Sequence, residues 1–146
     1  MITNTITKDV VQCMKSVPNW REAIKIASKP MLEQGKITEG YVEAMIQSVD
    51  EFGPYIIIAP MIAMPHARPE AGSLEIGLSV LKLEEPVSFT NNDENLASLI
   101  IVLSCKEDGK HIEVLGQLAE VLSDEDNYNK ALKAQNVKDI LEVFDK

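Results

Sequence analysis

Tyr55-Ile56-Ile57-Ile58-Ala59 is where the patterning of this chain changes. Before it, apolar residues recur at helical spacing. Here they run on without a break and are rich in β-branched side chains, as expected of a strand covered on both faces. Working back from this run, Gly53-Pro54 stops a helix that Thr38 caps, with Tyr41, Val42, Met45, Ile46 and Val49 on its apolar face. Earlier still, Asn19 caps a helix whose third residue is Glu22, and Trp20, Ala23, Ile24 and Ala27 share one face. Pro30 lacks an amide donor and predicts a kink or a break, and Gly35 ends the segment.

Working forward, a strand is predicted over 76–83, where Ile76, Leu78 and Val80 alternate. It turns through Glu84-Glu85-Pro86 into Val87-Ser88-Phe89. LASLIIVLSC at 96–105 supplies a further buried strand. Asp108-Gly109 then opens a helix carrying Ile112, Leu115, Ala119 and Leu122, and two short helices follow, capped near Asp124 and Asn136. Helices therefore bracket strands, the order of a single α/β domain with a central mixed β-sheet flanked by helices on both faces.

At 146 residues, with 45% hydrophobic and 25% charged side chains, the chain is sized and composed for one hydrophobic core. A formal net charge of -9 opposes general affinity for nucleic acid or anionic membrane, so no nucleic-acid partner is expected. The start MITNTITKDVVQCMKSV lacks the pattern of a secretory signal, and the apolar runs are too short to span a bilayer, so a cytoplasmic location is expected. Cys13 and Cys105 stand outside any CxxC or His-spaced pattern and read as buried free thiols. Phosphate-loop, GxGxxG, GxSxG and HExxH signatures are absent, which excludes a self-contained nucleotide-dependent enzyme, and no cofactor is expected.

The chemistry concentrates in MIAMPHARPE, residues 61–70. His66 stands between Pro65 and Pro69, each of which fixes its own φ and biases the preceding residue toward extended geometry. An imidazole held this way can accept a phosphoryl group, act as a base or bind a metal. If 66–68 is extended, His66 and Arg68 project to one side, and a guanidinium suits phosphate while opposing a metal ion. The alternative is that Arg68 pairs with Glu70 on the surface.

His111, with Asp108 as cap, takes the third helical position on the side of Leu115, Leu118 and Leu122. There the helix dipole favours anions, and the ring can donate to a phosphoryl oxygen or to His66. The alternative is a half-buried histidine closing the helix N-terminus. Two histidines can share zinc, but the spacing indicates no third ligand, so no metal is assigned. Met61 and Met64 read as core residues.

The run APMIAMPHARPEAG at 59–72, followed by KHIEVLGQLAEVLSDEDNY at 110–128, resembles the cytoplasmic IIA component of the bacterial phosphoenolpyruvate-dependent sugar phosphotransferase system. The resemblance is to the mannitol/fructose-type superfamily and covers nearly the whole chain. GPY before the strand, AMPHARPE and SDEDNY look most like the ascorbate-type branch. It implies an α/β type-2 IIA domain over residues 1–146. It also implies that His66 takes a phosphoryl group from the carrier HPr, as a tele-phosphohistidine intermediate, and passes it to a cysteine of the IIB component. His111 would supply a supporting hydrogen bond.

Uptake of an ascorbate-like sugar or a pentitol would then run through a membrane IIC component that this chain serves only indirectly. The reading leaves room for a homo-oligomer. Apolar residues around His66, such as Ile62 and Met64, are expected to meet the partners. The alternative is a regulatory IIA-like protein that signals its phosphorylation state by binding a protein partner. Two departures stand out. Relatives often have glycine where Met61 stands, which predicts a tighter or displaced start to the loop. Many also carry an arginine where this chain has Ser48-Val49-Asp50-Glu51, which leaves Arg68 for charge neutralisation.

Overall fold

The computed structural model describes residues 6–90, 94–106, 109 and 111–144. Its elements run β1 (Val11–Met14), α1 (Trp20–Glu33), α2 (Glu39–Phe52), β2 (Ile57–Ala59), β3 (Met61–Ala63), β4 (Gly77–Ser88), β5 (Leu96–Ser104), α3 (His111–Leu122), α4 (Glu125–Lys133) and α5 (Val137–Phe144). The strands form one mixed sheet in the order β1-β4-β5-β3-β2. β1 is parallel to β4 and β3 to β5, while β4–β5 and β2–β3 are antiparallel.

Side-chain alternation in β5 divides the core. Ile100 and Val102 pack toward α1 and α2 on one face, and Leu99, Ile101 and Leu103 pack toward α3, α4 and α5 on the other. Helices thus flank both faces of a mixed sheet, the architecture expected from the element order.

The helix caps form as read. Asn19 accepts from the Glu22 amide at 2.9 Å, Thr38 from the Tyr41 amide at 3.4 Å, Asp124 from the Asn127 amide at 3.0 Å and Asn136 from the Asp139 amide at 2.9 Å. Pro30, however, does not break α1, which continues to Glu33. The carbonyl that proline leaves without a helical donor is that of Ile26, four residues back. Gln12 of β1 donates its side-chain amide to that oxygen at 2.7 Å, so the lost helical bond is replaced from the sheet. One residue on, the Ala27 carbonyl accepts from the Ser79 hydroxyl of β4.

The strands depart further from expectation. The 55–59 run is not a strand covered on both faces: only Ile57–Ala59 is extended, β2 is the outer strand, and Ile58 is 53% exposed. The chain turns at Pro60 and at Met61, whose φ is +70°, and β3 returns to take the interior place beside β5. Met61 therefore holds the left-handed conformation that glycine adopts freely and a bulky side chain resists. Met64 is buried as read, whereas Met61 is only half-buried.

The predicted turn at 84–86 is likewise absent. β4 is one strand from Gly77 to Ser88, and its register against β5 shifts between Lys82 and Val87, a bulge that accommodates Pro86 without ending the strand. β1 leaves no alternating signature in its four residues. Of the two thiols, both free, Cys105 is buried and Cys13 only half-buried. Among the described residues no helix is long and apolar enough to cross a membrane.

Candidate functional site

Two parallel strands, β3 and β5, end side by side, and the segments that leave their C-terminal ends carry the two histidines. In an open α/β sheet, binding crevices form beyond the carboxyl ends of the strands. The segment after β3 is pinned at successive points. The Met64 amide donates to the Ile56 carbonyl at 2.8 Å, and the Leu103 amide of β5 donates to the Pro65 carbonyl at 3.1 Å. Pro69 then begins a 3-10 turn over Pro69–Ala71, with Arg68 extended at φ -68° and ψ 146°. The two prolines thus act as read: they bound a short extended segment whose ends are fixed.

His66 lies half-buried on that segment. Its Nδ1 is 2.8 Å from the Met64 carbonyl oxygen. A carbonyl can only accept, so Nδ1 carries the proton of the neutral ring and Nε2 keeps its lone pair. The Tyr55 ring meets the imidazole edge to face, with centroids 5.9 Å apart and planes at 86°.

His111 is the first residue of α3 rather than the third, and the predicted cap Asp108 lies outside the described residues. Its Nδ1 accepts from the Lys106 amide at 3.5 Å, a long contact that selects the opposite tautomer, with the proton on Nε2. The two rings therefore differ in kind, His66 offering a lone pair and His111 a donor at Nε2. No hydrogen bond joins them directly.

Arg68 is exposed and lines a cleft against α2 with Gln47, Ser48, Glu51 and Glu70. It forms neither the surface ion pair with Glu70 nor a bond to His66.

Ile62 and Met64 are 1% and 5% exposed, packed into the core on the α3–α5 face of the sheet, and cannot meet a partner. The apolar surface near the histidines comes instead from Tyr55 at 46% and Ile112 at 65%, with Phe52 beyond at 69%. Among the described residues no group of three or more His, Cys, Asp or Glu is placed to hold a metal ion.

Sequence reasoning missed Tyr41 as a site residue. Its ring packs in the α2 core as read, but its hydroxyl donates to the Leu103 carbonyl at 2.7 Å and accepts from the Ala67 amide at 3.1 Å. Burial pushes this phenol above its ordinary range, so it remains a neutral donor. Burial also raises the Cys105 thiol, an effect that the Tyr41 hydroxyl partly offsets. The available signal was chemical: a tyrosine on a buried helix face needs a partner for its hydroxyl.

Comparison with known proteins covers almost the entire chain. Residues 4–146 match the family model described as "Phosphoenolpyruvate-dependent sugar phosphotransferase system, EIIA 2". The mannitol-specific cryptic phosphotransferase enzyme IIA component of Escherichia coli (strain K12) is 37% identical over 134 residues, covering 92% of this chain and 90% of that protein. The ascorbate-specific PTS system EIIA component of the same strain is 28% identical over 137 residues, covering 93% and 89%. The solution structure of the mannitol-specific cryptic phosphotransferase enzyme IIA CmtB from Escherichia coli superposes with a TM-score of 0.90 at 34% identity, covering 98% of this chain and 97% of that one.

Proposed function

The chain belongs to the phosphoenolpyruvate-dependent sugar phosphotransferase system EIIA 2 family, and from that premise we propose that it is a cytoplasmic phosphotransferase component that carries a phosphoryl group on His66. The observation that supports this most directly is the Nδ1 contact to the Met64 carbonyl at 2.8 Å. It presents the Nε2 lone pair as the nucleophile of the Nδ1-protonated ring, with no other base required.

In the first half-reaction the Nε2 lone pair attacks phosphorus in phosphorylated HPr. The N–P bond forms as the carrier's own bond to phosphorus breaks. The proton stays on Nδ1 throughout, donated to the Met64 carbonyl, and that acceptor stabilises the cationic ring of tele-phosphohistidine. In the second half-reaction a cysteine thiolate of the IIB component attacks the same phosphorus. The N–P bond then breaks, and neutral His66 is restored.

Chemistry of this kind asks the protein for position and electrostatics more than for bond-making groups. His111 offers its Nε2 proton to a phosphoryl oxygen from the start of α3, where the helix dipole favours an anion. Arg68, whose guanidinium is engaged by no ion pair among the described residues, reaches over the same end of the fold to neutralise charge. Tyr55 and Ile112 form the apolar contact for HPr and IIB in place of the buried Ile62 and Met64.

The ascorbate-specific relative supports an ascorbate-like substrate, and the mannitol-specific relative supports a sugar alcohol. We assign uptake of an ascorbate-like sugar or a pentitol, through a IIC component that this chain does not touch. The test is incubation with phosphoenolpyruvate, enzyme I and HPr. Wild type should gain an acid-labile, alkali-stable phosphoryl adduct that His66→Ala lacks. An undiminished adduct on the variant, or none on wild type, overturns the assignment.

A further inference from the structure

The residues on either side of His66 are both tied to Leu103, the penultimate residue of β5. On the near side the tie is direct: the Leu103 amide donates to the Pro65 carbonyl at 3.1 Å. On the far side it passes through one phenol. The Ala67 amide donates to the Tyr41 hydroxyl at 3.1 Å, and that hydroxyl donates to the Leu103 carbonyl at 2.7 Å, with the Ala67 carbonyl 3.2 Å away as a second acceptor. Three residues beyond Leu103, the Lys106 amide meets His111 Nδ1. Both histidine segments thus take their position from the end of β5, and among these bonds the Tyr41 hydroxyl is the only side-chain link between the His66 segment and β5. Tyr41 has no exposed surface, so it touches neither partner nor phosphoryl group.

We propose that Tyr41 is a positioning residue for phosphoryl transfer. Its hydroxyl holds the backbone after His66 in register with β5, so that the imidazole keeps Nδ1 on the Met64 carbonyl and presents Nε2 at one place. The proposal rests on the phosphotransfer reading above. The Ala67 amide is half-buried and has no other acceptor among the described residues, so without the hydroxyl the segment loses its side-chain tie to β5 and is free to shift. Displacement of a reacting group by an ångström or less is enough to slow a step that depends on alignment.

Tyr41→Phe keeps the ring and removes only the hydroxyl. Transfer from phosphorylated HPr should fall by about tenfold in kcat with KM for the carrier unchanged. In the free protein, the 15N shifts of the His66 ring should move from a single Nδ1-protonated tautomer to an average of two. Ile24→Val, a truncation in α1 away from the segment, controls for loss of stability alone and should change neither reading.

Wild-type kcat and a single tautomer in Tyr41→Phe overturn the proposal, as does an equal loss of kcat in Ile24→Val. The tautomer measurement needs no phosphoryl donor. If wild type takes up no phosphoryl group, the phosphotransfer reading fails, and the 15N shifts still judge the link: averaging in Tyr41→Phe supports it and a single tautomer refutes it.

Discussion

A single hydrogen bond decides the chemistry of His66: with Nδ1 held by the Met64 carbonyl, the other nitrogen is the one that can form a bond to phosphorus. In the proposed transfer Arg68 acts at longer reach. Arg68→Gln should leave the fold intact and slow transfer by roughly tenfold, since one charged donor to the phosphoryl oxygens is lost. A circular-dichroism spectrum and a transfer rate together check this. Tyr41 also leaves a mark on stability. Its folded-state pKa lies above its ordinary value of 10.0, so its contribution is fully present below pH 10 and is lost as pH rises beyond that. The buried Cys105 thiol has the same sign, and Lys82, lowered mainly by burial, has the opposite one. Tyr41→Phe leaves Lys82 in place and removes the one hydrogen bond that offsets the burial of Cys105, but it deletes the phenol itself, so denaturant melts between pH 9 and 11 should show a shallower loss of stability with pH in the variant than in wild type.

At the scale of the elements, α1 depends on its neighbours. Gln12→Ala should cost about 1 kcal/mol, because the Ile26 carbonyl loses its donor. In a Pro30→Ala background the restored helical amide serves that oxygen, so the same substitution should cost only a few tenths, and a urea double-mutant cycle reads the difference. Gly72 stands at φ +134°, and a Cβ there would lie 2.0 Å from the Thr38 hydroxyl that caps α2. Gly72→Ala should therefore destabilise by about 1–3 kcal/mol, measurable in the same melts. The caps of α1, α2, α4 and α5 and the apolar faces of α1 and α2 were legible because they are set by residues within a turn or two of each other. The exposure of β2, the bulge in β4 and the presence of β1 were not, because each is decided by which strand lies alongside. Pro30 misled for the same reason: the donor that keeps the helix whole comes from β1, 14 residues back.

The whole molecule sets the end of two adjacent parallel strands against the first turn of α2, and that arrangement makes a site of residues distant in sequence. His66, Arg68 and His111 could be picked out from residue type and neighbouring prolines. Tyr41 could not, since its partners lie 26 and 62 residues away and only the folded sheet brings them together. Nor did the sequence show that Ile62 and Met64 are interior, because it does not reveal that this face of the sheet lies beneath α3, α4 and α5. The central claim is that this architecture delivers Nε2 of His66 to phosphorus. The direct measurement is 15N–31P correlation on the phosphorylated protein. The account predicts coupling of phosphorus to Nε2 of His66, with Nδ1 still protonated. Phosphorus on Nδ1, or on His111, would contradict it.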